Sequence, residues 1–156
     1  FRIIGELRGR DLANINRDYK QTPRTLEGMR ASFEANLLPL LRAHPEVRFS
    51  LVYPPYSALV WEDFRQRNQV EVSLAFKRAV FDAVRDLPNV ALYDFQARLD
   101  WVAGLDNYKD IYHFSPRISR EMIEAIAKGS DRVTPDTWPQ SEAILRALGL
   151  ASIQTP

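Results

Sequence analysis

The 156-residue chain has no cysteine, which excludes disulfides, thiol nucleophiles and cysteine-held zinc or iron–sulfur sites but leaves the compartment open. Glycine is scarce at six residues, and no Gly-x-Gly-x-x-Gly or Walker-type loop occurs, so a nucleotide cradle is not expected. Neither charge sign dominates: 21 Lys and Arg against 20 Asp and Glu give a formal net charge of +1. The basic residues are scattered and form no stripe, which argues against a nucleic-acid partner. No apolar run approaches the roughly 18 residues of a membrane span, and no stretch of the sequence reads as a signal peptide. Only two histidines occur, His44 and His113, too far apart to make the cluster a zinc or iron site needs, so neither metal nor cofactor is expected. The chain begins at Phe1 and not at Met, which leads to the expectation of a longer parent protein carrying an upstream signal or membrane anchor.

What is present fits one globular domain over residues 1–156, with 46% hydrophobic and 26% charged residues and no internal repeat. Residues 1–22 read as an edge strand or an ordered connection around Ile3 and Ile4, and residues 151–156 as a frayed tail. From Thr22 to His44, Leu26, Met29, Phe33, Leu37, Leu40 and Leu41 recur at helical spacing. Pro39 falls inside that stripe and predicts a break near Leu37 and Leu38. Val47, Phe49, Leu51 and Tyr53 then alternate with Arg48, Ser50 and Val52 up to Pro54-Pro55, as a strand with an abrupt end.

A loop holding Tyr56, Ser57 and Trp61 is expected next, then a helix over about 68–87, broken by Pro88-Asn89. The short apolar run from Val90 to Phe95 predicts a buried strand, parallel to the first across a right-handed crossover. Behind Ser115-Pro116, which read as N-cap and first helical position, a helix is expected to bury Ile118, Met122, Ile123 and Ile126. A last helix is announced by a capping-box pattern at Thr137 to Gln140.

The chemically loaded segment is Asp106 to Pro116, where Asp110 and His113 stand three residues apart. A carboxylate on one ring nitrogen fixes the tautomer of a neutral imidazole and raises its basicity, as a general base requires. Open parallel sheets keep ligands beyond the carboxyl ends of their strands, which is where 54–57 and 94–113 should lie. Asp106 and Asp94 rank behind Asp110 as partners of His113. Tyr56, Ser57 and Tyr108 are the candidate substrate contacts on that edge, and Trp61 and Trp101 are read chiefly as core caps. Asp94, Asp100 and Asp106 keep a carboxylate-pair glycosidase open as an alternative.

With Asn107-Tyr108 ahead of the pair, Phe114-Ser115-Pro116 behind it, and a strand ending in Tyr53-Pro54-Pro55-Tyr56, residues 47–128 resemble the carboxy-terminal half of the SGNH (GDSL-like) hydrolase superfamily. The membrane-associated, DltD-like and alginate-acetyltransferase-like branches are the most similar. The resemblance implies a three-layer α/β/α fold with a parallel sheet, flavodoxin-like in outline and here lacking its amino-terminal half. It also implies a serine esterase or O-acyltransferase acting on an acylated glycan of the cell envelope or periplasm, with His113 as base and Asp110 as its orienting acid. Two departures stand against it. No Gly-Asp-Ser block and no Gly-x-Asn-Asp oxyanion block occur, and Ser50, Ser57, Ser115 and Ser119 read as strand, turn or cap residues. The expected nucleophile is therefore an upstream serine, and the rival expectation is a non-catalytic SGNH-like binding or assembly domain.

Overall fold

The computed structural model describes residues 24–150; the expectations for 1–22 and for 151–156 lie outside the described residues. Helix α1 (Leu26–Asn36) starts where the Thr25 hydroxyl accepts a hydrogen bond from Gly28 N–H, the usual way to satisfy an orphan donor of the first turn. It breaks at Leu37, and α2 (Leu38–Ala43) follows with Pro39 in its first turn, so the proline stands where no helical N–H is needed. One carbonyl of the last turn of α2 and that of its C-cap residue find a partner within the fold. The buried Asn89 amide donates to Leu41 O at 2.9 Å and His44 O at 3.0 Å, tying the end of α2 to the chain just before the second strand.

Strands β1 (Phe49–Tyr53) and β2 (Val90–Asp94) pair in parallel, Phe49 opposite Val90 and Tyr53 opposite Asp94. Between them run α3 (Ala58–Gln66) and α4 (Val70–Val84). After β2 come a 3₁₀ turn (Phe95–Ala97), the short α5 (Leu99–Val102) and a second 3₁₀ turn (Leu105–Asn107); α6 (Pro116–Lys128) and α7 (Trp138–Leu150) complete the described chain. The fold is mixed α/β, rich in helix, with a two-stranded parallel sheet among the described residues.

Alternation along the strands sorts the core into two sides. Phe49, Leu51 and Tyr53 of β1 join Val90 and Leu92 of β2 against Phe33 of α1, Val80, Phe81 and Val84 of α4, and Trp138, whose ring stacks on Phe81 at 5.0 Å. On the opposite face Val52, Ala91 and Tyr93 meet Ile118, Met122 and Ala125 of α6. Period-2 strands between helices on both faces produce this division directly. A third cluster, Trp61, Val70, Leu74 and Leu145, locks α3 to α4 and α7. Gly149 belongs there because a Cβ would stand 2.6 Å from Val70 Cγ1.

Some local expectations give way. The stretch after Tyr56 is helix and not loop, because Leu59, Val60 and Trp61 are buried, Trp61 against α4 and α7, and so stabilise a segment that carries no long apolar period. Ile123 is 68% exposed on α6, its place in the core taken by Ala125. Thr137 makes no capping box: its hydroxyl accepts from Thr134 N–H at 2.9 Å and donates to Arg132 O at 3.1 Å.

One buried pair had no sequence signal. Lys77 of α4 reaches Asp94 at the last rung of β2, Nζ to Oδ2 at 2.6 Å, with its ammonium 3.7 Å from the centre of the Tyr53 ring. Burial pulls the Lys77 pKa down and the Asp94 carboxylate opposes that pull, while burial and then Asp94 push the Tyr53 phenol up. Removing one partner of such a pair strands a desolvated charge, so Lys77→Met is expected to cost about 3–5 kcal/mol in urea unfolding. Adding Asp94→Asn, which removes the charge and keeps an acceptor, should recover much of that loss; a cost under about 1 kcal/mol for the single change would show the pair to be dispensable.

Candidate functional site

Beyond β1 the chain turns at Pro54 and Pro55, and beyond β2 it runs through α5 into a hairpin-like loop over 107–115. The neck of that loop is closed by backbone bonds: Ser115 N–H donates to Asn107 O at 2.7 Å and Lys109 N–H to His113 O at 2.8 Å, with Tyr108 and Phe114 bridged antiparallel. The loop is stitched to the exit of β1. Tyr108 hydroxyl donates to Pro55 O at 2.7 Å, and Ser57 donates twice to Ile111 O, from its hydroxyl at 2.8 Å and its N–H at 3.2 Å.

At the tip the structure brings Asp110 and His113 together. Oδ1 of Asp110 accepts the N–H groups of Tyr112 and His113, both at 2.8 Å, an arrangement natural to an aspartate that opens a turn. Oδ2 stands 2.6 Å from His113 Nδ1. A carboxylate only accepts, so Nδ1 carries a proton, and in the neutral ring Nε2 keeps its lone pair, the tautomer of a general base. Burial raises the Asp110 pKa, but the two backbone N–H groups and the His113 ring outweigh it and hold the carboxyl below the usual aspartate value. The His113 side chain is 77% exposed and that of Asp110 41%, so the dyad lies on an open surface.

Asp94 does not compete for His113, because it is buried on Lys77; Asp106 sits in the exposed turn before the loop neck. Of the three candidate substrate contacts, Tyr56 is half-buried beside the loop, its ring edge-on to the exposed Tyr112 with centroids 5.4 Å apart. Ser57 and Tyr108 are buried instead, and their hydroxyls go to backbone carbonyls of the loop and of the turn after β1, so they hold the loop. Trp61 and Trp101 are core residues.

Tyr112 escaped the sequence reading, as did the anchoring of the loop through Ser57. The run Tyr-Pro-Pro-Tyr-Ser marks a turn but does not say what the turn receives. Among the described residues no serine hydroxyl is hydrogen-bonded to His113, no three acidic or histidine side chains converge on a metal position, and no helix is long and apolar enough to cross a membrane. Comparison with family models, with curated proteins and with solved structures finds no match.

Two outcomes test this geometry. Tyr108→Phe leaves Pro55 O without its buried donor and is expected to cost about 1–2 kcal/mol, with faster hydrogen exchange at the Lys109 and Ser115 amides. Because the folded pKa of Asp110 is depressed, the order it gives the loop is complete above the ordinary carboxylate range. That order is lost as pH falls through the folded value. A ¹³C titration of the Asp110 carboxyl should show the low midpoint, and exchange at Tyr112 and His113 should quicken with the same profile.

Proposed function

We propose that this chain carries the base-bearing half of a serine esterase or O-acyltransferase of the SGNH kind, acting on an acylated glycan of the cell envelope. The observation that carries the reading is the bond from His113 Nδ1 to Asp110 Oδ2, with the carboxylate also holding the backbone of the same turn. Its place agrees with the reading, since the loop docks on Pro55 and Ser57, just past the carboxyl end of β1. The fold supports it too. Parallel strands covered by helices on both faces belong to larger sheets, and β1 has a single strand neighbour among the described residues, which leaves an edge for the rest of a three-layer α/β/α sheet.

In this mechanism Nε2 of His113 takes the hydroxyl proton of a serine lying outside residues 24–150 as its oxygen adds to the acyl carbonyl. Asp110 keeps the ring oriented and stabilises the imidazolium. The imidazolium then protonates the departing sugar oxygen as the carbon–oxygen bond breaks. Water, or the hydroxyl of a second sugar, enters by the reverse sequence to release or transfer the acyl group. A non-catalytic SGNH-like scaffold is the second reading, favoured by the described serines: Ser57 is committed to Ile111 O, and the Ser115 hydroxyl is buried without a partner.

The test is intact mass after fluorophosphonate treatment, on this chain and on the full-length product of its gene. Labelling of the full-length product only, slowed by about 10³-fold or more in His113→Ala, is the expected result. Absence of label on both proteins would overturn the triad and leave the scaffold.

A further inference from the structure

The Asp110–His113 turn has no core of its own, so something must fix its neck relative to the rest of the fold. Asn107 is the residue through which that neck is fastened. Its Nδ2 donates to the backbone carbonyl of the buried Trp101 at 3.0 Å, near the end of α5. Its Oδ1 accepts from Arg117 of α6 at 2.6 Å, its N–H donates to Gly104 O at 2.9 Å, and its C=O accepts Ser115 N–H at 2.7 Å. Four groups of one residue thus join the chain entering the loop, the chain leaving it, α5 and the first turn of α6. The pattern needs a side chain that donates and accepts in one fixed plane, which aspartate and leucine cannot supply. Gly104 is matched to it, for a Cβ there would stand 2.8 Å from Asn107 Nδ2.

We infer that Asn107 is a positioning residue for the Asp110–His113 dyad, holding the loop neck so that the carboxylate meets both the imidazole and the two backbone N–H groups of its turn. Its relevance to catalysis rests on the acyl-transfer reading; the positioning itself does not. Two separate lesions reach the same joint: Asn107→Ala removes both side-chain bonds, and Gly104→Ala drives the amide off Trp101 O while leaving Asn107 in place.

The experiment is a ¹³C titration of the Asp110 carboxyl with amide exchange at Tyr112 and His113, on the chain as it stands, so that no nucleophile is needed. Both variants are expected to move the Asp110 midpoint up toward the ordinary aspartate value and to quicken exchange at the two amides about tenfold. Gly149→Ala, a crowding change at the α7 contact with Val70 and Trp61 that touches neither Asn107 nor Gly104, serves as control: it should lower thermal stability and leave the Asp110 titration where it is. An unmoved Asp110 titration in Asn107→Ala, or an equal movement in the control, would overturn the inference. Fluorophosphonate labelling is read separately, and its failure would remove the reaction while leaving the positioning result to stand or fall by the titration.

Discussion

The buried ion pair of Lys77 with Asp94 is the constraint on which the carboxyl edge of the sheet depends. It joins the middle of α4 to the last residue of β2, under the Tyr53 ring that ends β1. Asp94 is shared, since its other oxygen accepts Gln96 N–H at 3.1 Å and so starts the turn that leads the chain away from the sheet. A lysine desolvated to this degree tolerates little displacement, because its partner's position largely decides whether the pair costs or contributes. The direction in which the chain leaves β2, and with it the course through α5 to the loop neck, follows from that fixed point. Hydrophobic packing alone would specify the two faces of the sheet without specifying where β2 ends.

The elements with a strong period were legible in the residues. The break at Pro39, the two strands, α4 and α6 each carry a signal that tertiary packing reinforces. What was not legible had its cause at a distance. Residues 58–66 show no sustained stripe, yet become helix because Trp61 is fully buried between α4 and α7, and no window on that segment contains those partners. Ile123 illustrates the converse: its spacing suits burial, but Ile118 and Ala125 define the contact face and leave it outside. Lys77 sits on the inward face of α4 at a position where a period argument expects an apolar side chain, and only the strand opposite supplies the carboxylate that makes a lysine acceptable there.

At the candidate site the local part was readable and the assembled part was not. Asp110 and His113 are three residues apart, so one turn suffices to join them, and the sequence contains that information. The bonds from Ser57 and Tyr108 join segments more than fifty residues apart along the chain, and their hydroxyls resemble those of any residue that meets a ligand. Polar side chains near a catalytic edge divide into those that face the substrate and those that hold the loop facing it. Burial separates the two classes, and burial is a property of the finished fold.

The pairing of the two strands also sets an order of events in folding. Phe49 meets Val90 only after the chain between them, two helices long, has been gathered in, so no ladder bond forms while that entropy remains unpaid. Helix α4 is the element able to gather it, since its apolar face meets α1 across a separation just as long and presents the same side to both strands. The transition state is accordingly expected to bring α1, α4 and the two strands together at once, and the dyad loop, whose anchors lie on the turn that β1 delivers, to close among the last parts of the chain.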